Sequence, residues 1–166
     1  MSAPDPCSLR APELIEFLHG GISVILGNAA ATIPAVTRAF APRVSSDGAS
    51  VDVFVAPAQS AAVVANLSIG SVLAFTMSSP TDYRAMQIKR TVVVWGLADD
   101  ADAAWLDRYW SLFQAACQRT GVTPEISGRL RCRRNLLRVT VTPRALFRQT
   151  PGPGAGAPLG DLSTWK

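Results

Sequence analysis

Hydrophobic and polar positions change period several times along this chain, and each change marks an element. From Leu9 to His19 the residues Leu14, Ile15, Phe17 and Leu18 cluster on one side, Pro12 suits a first turn and Gly20-Gly21 ends the run, which predicts an amphipathic helix. Ile22 to Asn28 is a short β-branched run, and Ile33 to Ser45 reads as a second strand opened by Pro34. After the Asp47-Gly48 turn, Val51, Val53 and Val55 alternate with Asp52 and Phe54, the period of a strand with one face on a core. Pro57 to Leu67 changes to a helical mix of alanine and valine, and Ser71 to Ser78 resumes strand character. A turn at Ser79-Pro80-Thr81-Asp82 leads into a long strand from Ala85 to Leu97. Asp99, Asp100 and Asp102 place acid at the start of a helix that runs to about Arg119 and stops at Gly121, matching the helix dipole. A basic loop from Arg129 to Arg134 precedes a last strand, Leu136 to Val141, and the glycine- and proline-rich tail from Gln149 fits neither period.

Six strands joined in mostly hairpin-sized steps leave edges that closure into a barrel removes. The expected fold is therefore mainly β with flanking helices, a six-stranded antiparallel barrel. It forms one domain over residues 1–166, with irregular tails at 1–8 and 150–166. Hydrophobic residues make up 48% of the chain and charged ones 17%, more apolar supply and less charge than a free monomer's surface calls for. A subunit interface would absorb the excess. No apolar run approaches the length of a membrane span, and Met1 to Arg10 lacks a basic region followed by a continuous apolar stretch, so a cytoplasmic chain is expected.

Candidate chemistry is sparse, which narrows the field. His19 is the only histidine, and Cys7, Cys117 and Cys132 are far apart, so neither a multi-histidine metal site, a zinc knuckle nor a disulfide framework is indicated. The formal charge of +4 is carried almost wholly by arginine, with Lys89 and Lys166 the only lysines, which favours an anionic ligand. Val36, Arg38 and Phe40 share a strand face, so one guanidinium sits between apolar neighbours and could hold a phosphate; the alternative is a rim arginine with a packed stem. Gln87 and Lys89 share a face of the long strand, preceded by Tyr83 and Arg84. An amide there suits the edge of a heterocycle, against the alternative of a half-exposed strand face. Ser60 stands at the start of the second helix, where it could meet a phosphate or simply cap the helix. Arg129, Arg131, Arg133, Arg134 and Arg138 form a positive run, but no aromatics are interleaved, so nucleic-acid stacking has no platform.

The order of these features resembles the pyridoxamine 5'-phosphate oxidase-like superfamily, the FMN-binding split barrels. The resemblance is carried by Ile33-Pro34 with Thr37-Arg38-Ala39-Phe40, by Val53-Phe54-Val55 and Asn66-Leu67, and above all by Pro80-Thr81-Asp82-Tyr83-Arg84 followed by Met86-Gln87-Ile88-Lys89. It implies a homodimer holding FMN in a cleft between subunits. By that likeness Arg38, Ala39 and Phe40 line phosphate and ring, Val55 and Ser60 lie near the phosphate end, Gln87 faces the flavin, and Tyr83 and Lys89 complete the set. The chain departs from the pattern at Ser60-Ala61-Ala62, where basic residues commonly follow the serine, and at Arg90, where glycine is common. The C-terminal arginine and histidine pattern of true pyridoxamine phosphate oxidases is not visible.

Two functions follow from that reading. The first is a flavin-dependent oxidoreductase acting on a small molecule, with the cofactor performing the redox step. The second is a non-catalytic binding module for FMN, another phosphorylated heterocycle or haem, where His19 would be the only histidine ligand.

Overall fold

The structure is a computed structural model that describes residues 9–29, 33–132, 134–143 and 145–159. Stretch 1–8, the end of the tail from 160, Arg133 of the basic loop and the side chain of Arg90 lie outside the described residues.

The first helix, α1 (Pro12–Leu18), starts on its proline and is followed by strands β1 (Ser23–Ala29), β2 (Pro34–Val44) and β3 (Val51–Val55). A single 3-10 turn, Pro57–Gln59, and a short helix α2 (Ala61–Ala65) lead to β4 (Val72–Ser78) and the long β5 (Ala85–Leu97). Helix α3 (Asp100–Arg119), a one-turn α4 (Pro124–Gly128), β6 (Leu137–Val141) and β7 (Ala145–Arg148) complete the order. Every pairing is antiparallel: β1 with β2 and β4, β3 with β2 and β6, β5 with β4 and β6. Those pairings close β1 to β6 into a ring.

Among the described residues the sheet has seven strands rather than the six expected. β7 adds to the ring by pairing with Met86–Lys89 of β5, and Pro158 bridges to Phe147 on its other side. Four residues are too few for an alternation to be read in the sequence; β7 exists because β5 is long enough to carry β4 and β7 along its first half and β6 along its second. Register shifts between Phe40 and Arg43 and between Val92 and Val94 bend β2 and β5 around the barrel. The second helix is also shorter than expected, because Ser60 leaves helical geometry (φ −137°, ψ 25°) and breaks the run from Pro57 to Leu67 into two pieces. Helix α4 went unread in the sequence; it is a single turn started by Pro124.

Two cores hold the molecule together. Inward residues of the ring, among them Val24, Leu26, Val53, Phe75, Met77 and Ile88, fill the barrel, and α2 stoppers one end with Val63. Helix α3 crosses the outside of β2 and β3, where Phe40 and Phe54 pack against Tyr109, Trp110 and Phe113. Its N-terminus is fixed by a capping box between Asp99 and Asp102, and its middle by a hydrogen bond from the Tyr109 hydroxyl to the Ile22 carbonyl at 3.0 Å. Gly21 is required at that crossing: a Cβ there would stand 2.3 Å from the Leu112 carbonyl oxygen. No described helix is long and apolar enough to cross a membrane.

Candidate functional site

Alternation along the strands sends one set of residues outward, and strand pairing lines them up across the sheet. Arg38 pairs with Ile25, Ile25 with Thr76, Thr76 with Gln87 and Gln87 with Phe147, giving one continuous row over five strands. The next row is Val36, Gly27, Ala74, Lys89 and Ala145. Arg38 and Gln87 are three strand spacings apart, about 14 Å. Ile25 and Thr76 stand between them on their own row, and the small residues Gly27 and Ala74 lie alongside on the next. Val36 is 70% exposed and Val72 64% exposed, so no described part of this chain covers the face.

Three expected residues share this face. Arg38 is half-buried, and its Nη1 donates to the Ser23 Oγ at 3.4 Å, a long contact that leaves most of the guanidinium unengaged. Its positive charge is felt by Tyr109 and Cys117 of α3, whose pKa values burial raises and Arg38 partly restrains. The Gln87 Nε2 donates to the Thr76 Oγ1 at 3.0 Å, a bond between cross-strand neighbours of the same row. Lys89 is exposed, with its ammonium 4.8 Å from the centre of the Phe147 ring.

The others lie elsewhere. Ala39 and Val55 point into the barrel core, and Phe40 is sealed beneath α3, so these contribute backbone or packing rather than an exposed side chain. Ser60 is also turned inward, its hydroxyl 2.5 Å from that of Thr37, the residue whose side chain alternates with Arg38. Arg38 and the Ser60 hydroxyl are therefore on opposite sides of β2. Tyr83 sits on the turn between β4 and β5, 72% exposed and in the left-handed region at φ 59°.

Sequence reasoning missed a charged hub beside α3. The Asp102 carboxylate is fully buried and accepts from Arg43 at 2.7 Å and from Arg138 at 2.8 Å, while Arg43 also pairs with Asp52. Burial works against the charge of Asp102, but bonds from the Asp99 N–H, Arg43 and Arg138 outweigh it and lower the pKa. The acids at this helix start were legible as dipole partners, but the arginines that meet them come from β2 and β6, and no local spacing signals that. His19 is engaged as well: its Nε2 accepts from the Val44 N–H at 3.0 Å and its ring meets Trp105 edge-on. Burial, then the nearby Arg108 and Arg43, lower its pKa, so the ring is held neutral.

No protein-family model matches the sequence, and no curated protein matches it. Solved structures do. The HupZ protein of Group A Streptococcus is 9% identical, with a TM-score of 0.50 over 88% of this chain and 99% of that one. A pyridoxamine 5'-phosphate oxidase-related, FMN-binding protein from Nostoc punctiforme is 10% identical, with a TM-score of 0.47 over 93% of this chain and 89% of its own. An FAD and heme binding protein from Mycobacterium smegmatis is 13% identical, with a TM-score of 0.43 over 80% of this chain and 66% of its own. At 9% identity what is shared with HupZ is the fold alone, and the antiparallel barrel expected from the sequence is present in the strand pairings themselves.

Proposed function

We propose that the protein binds FMN along the outer sheet face and serves as a flavin-dependent oxidoreductase, with a second copy of the chain covering the cofactor. The observation that carries the reading is the outward row from Arg38 to Gln87, with a largely unengaged guanidinium at one end, an amide at the other, Ile25 and Thr76 between and the small Gly27 and Ala74 alongside. The residues present fit the group. Gly27 and Ala74 leave room for a planar ring, a guanidinium matches a phosphate in shape and charge, and an amide can meet the polar edge of a heterocycle. Bound FMN would supply hydride or electron acceptance. The chain's own residues would do the rest: Arg38 anchors the phosphate, Gln87 orients the ring and Lys89 adds positive charge on the same side.

Dimerisation belongs to the same reading. Val36, Val72 and Ile25 would be covered by the partner, and water would be excluded from the floor. Haem ligation through His19 is disfavoured, because its Nε2 already accepts the Val44 N–H. The test is a visible spectrum of purified protein followed by FMN titration, with light scattering for subunit number and NADH or NADPH consumption for turnover. Saturable flavin binding with reduction by a nicotinamide donor supports the proposal; a protein indifferent to saturating FMN sinks it. Binding without reduction by any donor would leave a carrier in place of an enzyme.

A further inference from the structure

A second feature lies away from the sheet face, between α1 and α3. There a groove of about 650 Å³ is floored by Pro12, Ile15, Leu112 and Ala115 and edged by Arg108 and Arg119. Gly21, which also lines the groove, packs directly on the Leu112 backbone, where a Cβ would not fit.

His19 also lines the groove, and its hydrogen bonding fixes its tautomer. Since Nε2 accepts from Val44, the neutral ring carries its proton on Nδ1. Among the described residues that N–H donates no hydrogen bond. Arg108 lies over the Trp105 ring at 5.5 Å, and neither Arg108 nor Arg119 is in an ion pair among the described residues. Arg10, at the outer end, donates to the Asp47 carbonyl, and Glu16 is the acid on the rim. Positive charge therefore exceeds negative around an apolar floor.

We infer that this groove binds a small organic anion with an aliphatic body, its carboxylate held by His19 Nδ1–H and Arg108 and its chain lying on Ile15 and Leu112. An inorganic ion would satisfy the donors but leave the floor wet, and a neutral alcohol would cover the floor but leave the guanidiniums uncompensated. The site is distinct from the sheet face and does not depend on the flavin reading.

Octanoate serves as the probe, titrated into the full chain by NMR while tryptophan emission is followed in parallel. The inference expects saturable shifts of the Ile15 and Leu112 methyls at millimolar octanoate, and a change in emission from Trp105, which touches both His19 and Arg108. It further expects affinity about two- to fivefold weaker in Arg108→Gln, an exposed position where the charge contact is screened. Octanol binding as tightly as octanoate, phosphate displacing octanoate at equal concentration, unchanged affinity in Arg108→Gln, or no saturable methyl shift would each overturn it. Bound FMN leaving the octanoate titration unaltered is the expected sign that the two sites are separate.

Discussion

Replacing Arg38 with alanine tests the sheet-face reading where it is most exposed to failure. In the folded chain this guanidinium makes one long contact, 3.4 Å to the Ser23 hydroxyl, and its stem lies beside α3, which is anchored independently by Asp102 and Tyr109. Removing it should therefore cost the fold little, within about 0.5 kcal/mol. A phosphate seated there would lose a charge-assisted hydrogen bond worth about 1.5–3 kcal/mol, which is about a ten- to hundredfold rise in Kd for FMN. The upper end applies because Ala61 and Ala62 follow Ser60 and supply no second cation, so little other charge is at hand to compensate. Arg38→Lys should fall between wild type and alanine, since a point charge survives while the planar fork is lost. Quenching of FMN fluorescence on titration gives each Kd, and a melting curve for each variant confirms that the fold is intact. Equal affinity in wild type and Arg38→Ala, with both folded, would refute the placement of the phosphate at Arg38.

Two further outcomes rest on the charged and titrating groups around α3. Asp102→Asn removes the negative partner of two guanidiniums that are themselves about a quarter to a third exposed; a loss of about 3 kcal/mol is expected, or roughly 6–12 °C in Tm. Because the folded pKa of Asp102 is depressed, its stabilisation is complete above about pH 4 and is lost as pH falls through the folded value, so the gap between variant and wild type should narrow only in acid. His19 has a lowered folded pKa, so the unfolded chain binds its proton first. Its stabilisation is full above about pH 6.5 and drains away as pH falls from there toward the folded value. Urea midpoints at pH 7.5 and 5.5 should therefore fall further for wild type than for His19→Gln, whose amide oxygen can accept from Val44 without titrating; parallel curves would remove His19 from the account.

Much of the fold was legible because its strands bury one face. The alternation of Val51, Val53 and Val55 and the span of β5 follow directly from a period of two set against a filled barrel. Which neighbours cover each face was not legible. Phe40 and Arg38 do point the same way, as their spacing requires, yet α3 seals the first and leaves the second at its margin; the position of that helix is decided by Phe54, Trp110 and Phe113 together. Ser60 does stand immediately before α2, as the sequence suggests, but its hydroxyl makes no cap and meets Thr37 from a strand twenty-three residues earlier, a long-range contact that accompanies the break between the 3-10 turn and α2. β7 left no trace in the sequence pattern because the edge of β5, rather than its own alternation, defines it.

Barrel packing constrains where chemistry can happen. Val24, Leu26, Leu73, Phe75, Met77, Met86 and Ile88 are all at zero exposure, so the ring encloses side chains and leaves an external surface for a cofactor. On an open sheet face a single guanidinium works in high dielectric, where its attraction for a phosphate is weak; covered by a second copy, the same contact strengthens as water leaves. On the proposed reading, cofactor binding and self-association would be two parts of one equilibrium, each raising the apparent affinity of the other by the same factor. The apparent Kd for FMN should accordingly depend on protein concentration, falling as dimer accumulates. On that reading a chain with few phosphate-side cations would retain a dianionic cofactor because the anchor would be shared between Arg38 and the exposed apolar area, led by Val36 and Val72, once a second copy covers it.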